Sequence, residues 1–249
     1  MNNKIMWWVI VAIIVVVGGI YWYMQSPATE NNSSSTTGEE NQTTGAQGRV
    51  IFSVTDAAAD MSAISEINMR ISRVDIQSST SGWVTASTTP RTYDLLALDV
   101  SGESKLLADV GAAAGTYNQV RLVVDSITVK TKAGATKTAK LPSGELRINT
   151  VLVVNANSVS SVNFDFLADK SLHTTGSGEY IFAPVVKTET RSGASVSVDA
   201  NSKVSISGGR VDSSNTVGMD IDGTVKLNFQ LKSDQKLNLG INNVIELGK

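Results

Sequence analysis

Residues 115–125 read Gly-Thr-Tyr-Asn-Gln-Val-Arg-Leu-Val-Val-Asp. Val120, Leu122 and Val124 alternate with Arg121, Val123 and Asp125, so one side faces a core and the other faces water, as in a half-buried strand. Gly115 opens this strand and is expected to take a backbone angle that other residues avoid. Arg121 falls on the polar face, and Tyr117 is expected to cap the core with its hydroxyl at the rim. The same period of two recurs at Ile67, Met69 and Ile71, at Val162, Phe164 and Phe166, and at Val225, Leu227, Phe229 and Leu231. It slips between Ile71 and Val74, where Ser72-Arg73 marks a β-bulge.

Turn residues separate these runs: Ser81-Gly82, Gly134, Pro142-Ser143-Gly144, Gly176-Ser177-Gly178, Gly208-Gly209 and Asp222-Gly223. Strands at that spacing indicate an all-β fold, a β-sandwich or partly open barrel over residues 48–191. Leu95–Leu98 and Lys105–Val110 read as short helical turns. After Arg191 the Val- and Ile-bearing strands are shorter. They form either a small second β domain (192–249) or a C-terminal β extension. About 58 residues is near the lower limit for an independent core, which favours close packing on the main domain.

Ile5 to Met24 is an unbroken apolar or aromatic run. As a helix it would span roughly the 30 Å hydrocarbon core of a bilayer. Trp7 and Trp8 border one end and Tyr21, Trp22 and Tyr23 the other, where aromatic rings favour the interface. Lys4 precedes the run, while Glu30, Glu39 and Glu40 follow it, with no Lys or Arg before Arg49. Positive-inside asymmetry then predicts a single transmembrane helix (1–25), a cytoplasmic N-terminus and an extracytoplasmic remainder at the cell membrane. The rival is a signal peptide cleaved at about Ala28, but its apolar region would be shorter. Residues 26–47 are too polar to bury a core and read as a disordered linker with a reach of about 25 Å. Asn31, Asn32 and Asn41 open glycosylation sequons that matter only where glycosylation occurs.

The formal net charge is −2 and only 18% of residues are charged. Lys130, Lys132, Lys137 and Lys140 are the densest basic group and read as a solvated strand face, so nucleic acid is not an expected partner. The chain has no cysteine, which removes disulfides, thiolate catalysis and cysteine-ligated metals.

A series of motifs occurs in order: Ser53-Val54-Thr55-Asp56-Ala57; Trp83; Asp94-Leu95-Leu96-Ala97-Leu98; Ala114 through Leu122; Leu141-Pro142-Ser143-Gly144; Phe164-Asp165-Phe166 with Lys170-Ser171; and Tyr180 through Val185. Over roughly residues 48–190 the chain thereby resembles the family catalogued as domain of unknown function 4382. That resemblance implies a β-sandwich in a secreted or surface-anchored protein, and no activity or site residue. Ala58 stands where the family usually has Pro, and Leu167 where it often has a second acid.

His173 is the lone histidine and is expected as an exposed loop residue, with no nucleophile motif to serve. Asp56 with Asp60, and Asp220 with Asp222, are candidates for a calcium site, since calcium takes oxygen ligands from loops. Neither pair has the full calcium-loop pattern, and Asp before Gly is ordinary turn chemistry. No cofactor is otherwise expected. Trp83 and Tyr93 are candidate aromatic contacts for a sugar, weighed against simple packing. The resulting expectation is a non-enzymatic membrane-anchored surface module that binds an extracellular polymer, envelope component or protein. The alternatives are a structural envelope or assembly component and, third, a carboxylate-dependent hydrolase.

Overall fold

A computed structural model describes residues 46–57 and 61–227. The expectations for residues 1–45, Ala58, Asp60 and Asn228–Leu231 lie outside the described residues. Along the chain run β1 (Gln47–Asp56), β2 (Ile64–Ser78), β3 (Gly82–Ser87), β4 (Arg91–Asp94), α1 (Leu95–Ser101), β5 (Ser104–Ala113), β6 (Gly115–Thr131), β7 (Thr136–Lys140) and β8 (Glu145–Val154). There follow β9 (Val159–Phe166), α2 (Ala168–Ser171), β10 (Leu172–Thr174), β11 (Tyr180–Phe182), β12 (Val185–Ser192), β13 (Ser195–Val198), β14 (Lys203–Ser207), β15 (Arg210–Met219) and β16 (Val225–Leu227).

The first sheet has the order β13-β14-β5-β1-β9-β12-β15-β16. In the second, β10-β11-β7-β6-β2-β3 form a path, with β4 also on β2 and β8 also on β6. Neither path closes on itself, so the fold is all-β, two open sheets in a sandwich-like arrangement and not a closed barrel. Alternation supplies the core: Phe52, Val54, Phe164 and Phe166 from the first sheet bury with Ile67, Met69, Ile71, Val120 and Leu122 from the second. Phe52 and Phe164 stack with centroids 6.5 Å apart. Each such side chain contributes about 1.5–3 kcal/mol on burial, which is how a chain without disulfides holds this shape. No helix among the described residues is long and apolar enough to cross a membrane.

Ser72 is the extra residue of a bulge, because Ile71 pairs with Val124 while Arg73 pairs with Val123. Gly115 has a φ of +157°, rarely adopted by L side chains, and the Tyr117 hydroxyl donates to the Ala113 carbonyl at 2.9 Å. Leu95–Leu98 does start a helix, which runs to Ser101 and ends on Gly102 in the left-handed region. The helical reading of Lys105–Val110 is corrected: these residues lie within β5. Phe52 pairs with Ala108 and Ser53 with Leu106, leaving Leu107 unpaired in a bulge. Adjacent Leu106 and Leu107 therefore mask a strand rather than signal a helix.

The strands after Arg191 extend the first sheet at both edges: β14 joins β5, and β15 joins β12. One sheet-to-sheet junction is built from side chains. β8 pairs with β6 along one edge only. Its carbonyls at Asn149, Val151 and Val153 accept from Asn215 Nδ2 at 3.2 Å, Thr190 Oγ1 at 2.6 Å and Ser160 Oγ at 2.7 Å. Those donors come from β15, β12 and β9 of the other sheet, so these three edge carbonyls are satisfied without a further strand. Thr190→Val keeps the shape and strands the Val151 carbonyl, and is expected to lower stability by about 1–2 kcal/mol in chemical denaturation. An unchanged midpoint would mean that the junction holds without this bond.

Candidate functional site

The outer face of the second sheet carries an ordered polar surface, assembled by strand pairing. Thr85, Asp75, Arg121 and Arg147 lie opposite one another across β3, β2, β6 and β8. Asp75 is only 1% exposed, and a carboxylate so placed needs partners. It accepts from Thr85 Oγ1 at 2.8 Å, Arg73 Nε at 3.0 Å and Arg121 Nε at 2.8 Å. The Arg121 guanidinium also lies 4.5 Å over the Trp83 ring, a cation–π contact that fixes the indole. Beyond it stands Glu145, 3.6 Å from Arg121 and 3.0 Å from Arg147. The Arg147 hydrogen bond is the main influence holding the Glu145 carboxyl below the usual range.

A second row runs beside the first. Trp83 pairs with Gln77, Gln77 with Gln119, and Gln119 with Asn149. Opposed residues in a sheet point to the same side, so one indole and three carboxamides line up across four strands. Gln119 Nε2 donates to Asn149 Oδ1 at 2.6 Å. The Asn149 end of the row enters a groove of about 410 Å³, walled by Gln119, Glu145, Arg147 and Asn149 on one side and Val217 and Val225 on the other. The β15–β16 turn closes the groove's end. Gly223 has a φ of +87°, and a Cβ there would lie 3.2 Å from the Pro142 carbonyl, so glycine lets the turn sit against the β7–β8 loop.

Three of the acids considered for calcium have partners among the described residues. Asp222 accepts from Thr224 N and Oγ1, both at 2.8 Å, and Asp220 pairs with Lys226 at 2.5 Å. Asp56 is 3% exposed at the end of β1, and its Oδ1 accepts from Ala168 N at 3.1 Å. Its Oδ2 has no partner among the described residues. Burial, reinforced by Asp99, Asp165 and Asp169 and opposed by the Ala168 N–H, raises its pKa to about 7. Asp60, its intended companion, lies outside the described residues. Among those residues no group of three or more His, Asp or Glu could hold a metal ion.

Trp83 is half-buried in the ordered face. Tyr93, weighed as a sugar contact or as packing, takes the packing role. It is 7% exposed, its ring packs in the core, and its hydroxyl donates to the Leu106 carbonyl at 2.7 Å. Burial pushes its phenol pKa up. His173 is corrected too: it is half-buried in β10, paired with Ile181 of β11, and burial lowers its pKa. Of the basic group, Lys130 pairs with Glu66 at 2.5 Å and Lys137 donates to the Gly178 carbonyl at 2.9 Å.

Gln77, Gln119, Asn149, Asp75 and Arg147 were not singled out by sequence. Their only local signal is a polar position within alternating strands. Their common location depends on long-range register. The family described as Domain of unknown function (DUF4382) matches residues 47–184. The chain belongs to this family. No curated protein and no solved structure matches it. The DUF4382 match runs from β1 to β11 and contains every strand of the ordered face. The Val217 and Val225 wall of the groove comes from strands beyond it.

Proposed function

We propose that this DUF4382 protein is a non-enzymatic binding module, anchored in the cell membrane by residues 5–24 and held outside the cytoplasm, whose outer second-sheet face engages an extracellular or envelope partner. The observation that carries the reading is the ordered face itself. Its charged groups are tied down around Asp75, while its carboxamide row opens into a groove. A fixed array of polar side chains beside an aromatic ring suits recognition, because little side-chain entropy remains to be lost on binding. The anchor rests on the aromatic-bordered apolar run and the charge asymmetry around it. Cosedimentation of the full chain, in detergent micelles, with insoluble envelope material tests the proposal. Binding that Gln119→Ala and Asn149→Ala together reduce is expected; absence of binding, or binding indifferent to both changes, overturns it.

A second reading, an assembly component that pairs through a sheet edge, draws support from β13. This short edge strand, Ser195-Val196-Ser197-Val198, carries neither charge nor proline to deter another strand. Concentration-dependent association in sedimentation would favour it. Hydrolysis by paired carboxylates is less well supported: among the described residues Glu145 is the one carboxylate lining the groove, and its arginine contacts favour the ionised form over the protonated acid such chemistry needs.

A further inference from the structure

We infer that the Trp83–Gln77–Gln119–Asn149 row and the groove at its end form a binding site for a neutral glycan chain laid across β3, β2, β6 and β8. The inference rests on the proposed binding role of this face and names its ligand class. Adjacent strands lie about 4.8 Å apart, so the row extends on the order of 15 Å, long enough for several sugar units.

Three features select the chemistry. Each carboxamide offers both a donor and an acceptor, which matches the paired donor and acceptor character of vicinal hydroxyls. Gln119 and Asn149 satisfy one another through a single bond, leaving the Gln119 oxygen and the Asn149 amide nitrogen free of that contact. Val225, half-buried, supplies an apolar wall against which the C–H face of a sugar ring can pack. Charge argues against an ionic ligand. Asp75 is saturated by Thr85, Arg73 and Arg121, and Glu145 is matched by Arg147 and Arg121. Three arginines (Arg73, Arg121 and Arg147) against two carboxylates (Asp75 and Glu145) leave the face a single formal positive charge, and all five groups are ion-paired, which gives a polyanion or polycation little to hold. Trp83 is held by Arg121 on one ring face, which orients the indole at the row's end.

Affinity electrophoresis and calorimetry on the full chain in detergent micelles test this, with soluble β-glucan, mannan and dextran as neutral probes and polygalacturonate and polylysine as charged ones. At least one neutral glycan is expected to bind, and Asn149→Ala to weaken it about tenfold, the worth of one good hydrogen bond. Trp83→Ala is expected to weaken it further. Because loss of the indole also removes a packing contact, the exposed Asn149 variant is the deciding one, with its melting temperature as the folding control. Stronger binding of either charged polymer overturns the inference. So does glycan binding equal in wild type and Asn149→Ala, which would place the ligand elsewhere. Envelope material bound without any neutral glycan would refute the ligand class while leaving the binding role standing; neither bound would refute both.

Discussion

Asp75→Ala is expected to lower the stability of the fold by about 3–5 kcal/mol, the range for removing one partner of a buried ion pair. Three side chains converge on this carboxylate from β2, β3 and β6. Without it, Arg121 stays 16% exposed over Trp83 with only the longer contact to Glu145. A half-buried guanidinium without its main partner is costly, and the Thr85 hydroxyl also loses its acceptor. Removing Arg121 as well should recover part of the loss, since the double variant no longer strands a charge. Urea denaturation of the single and double variants measures both terms. A single variant within 0.5 kcal/mol of wild type would mean that the clasp is incidental to the fold.

Asp56→Asn is expected to stabilise the protein at pH 8 by about 2–4 kcal/mol and to change little at pH 4. Its folded pKa, about 7, lies above the ordinary 3.8. The folded state therefore holds a proton that the unfolded state releases, and wild-type stability is fullest below pH 3.8 and lost as pH rises through 7. A difference of about three units corresponds to about 4 kcal/mol as an upper scale. Asparagine keeps an oxygen for the Ala168 N–H and has no charge to set against Asp99, Asp165 and Asp169. His173 acts with the opposite sign. Its lowered pKa removes stability as pH falls below 6.5, so the difference between the two proteins, followed from pH 4 to 8, isolates Asp56. A flat difference curve would show that Asp56 ionises normally in the folded protein.

Local patterns carried much of the fold. Alternation at Ile67–Ile71, Val120–Val124 and Val162–Phe166 marks strands that the structure contains, and Ser72 marks its bulge. A one-residue slip is visible in sequence when it interrupts a clear period of two. Leu107 defeated the same rule because the bulge falls between two leucines and resembles an apolar turn. His173 was missed for a related reason: β10 has three residues, too few for any period, and its burial comes from pairing with β11. The polar face was largely illegible. Trp83 could be picked out by residue type, but the carboxamides share a row only because β2, β6 and β8 pair in a register with several slips. Tyr93 shows the converse limit. An aromatic side chain suits a ligand or a core equally well, and its buried hydroxyl bond to Leu106 settles which.

The roles proposed here all require the sandwich to stand outside the cytoplasm. The chain contains no cysteine, so a single introduced thiol reports on its own location. Val100, 88% exposed on α1, can be replaced by cysteine with little effect on packing. Treating intact cells with a membrane-impermeant maleimide is then the most direct measurement. The proposed placement predicts labelling of Val100→Cys before lysis, on a full-length chain that stays with the membrane after carbonate extraction. Labelling that appears only once the cells are broken would contradict it.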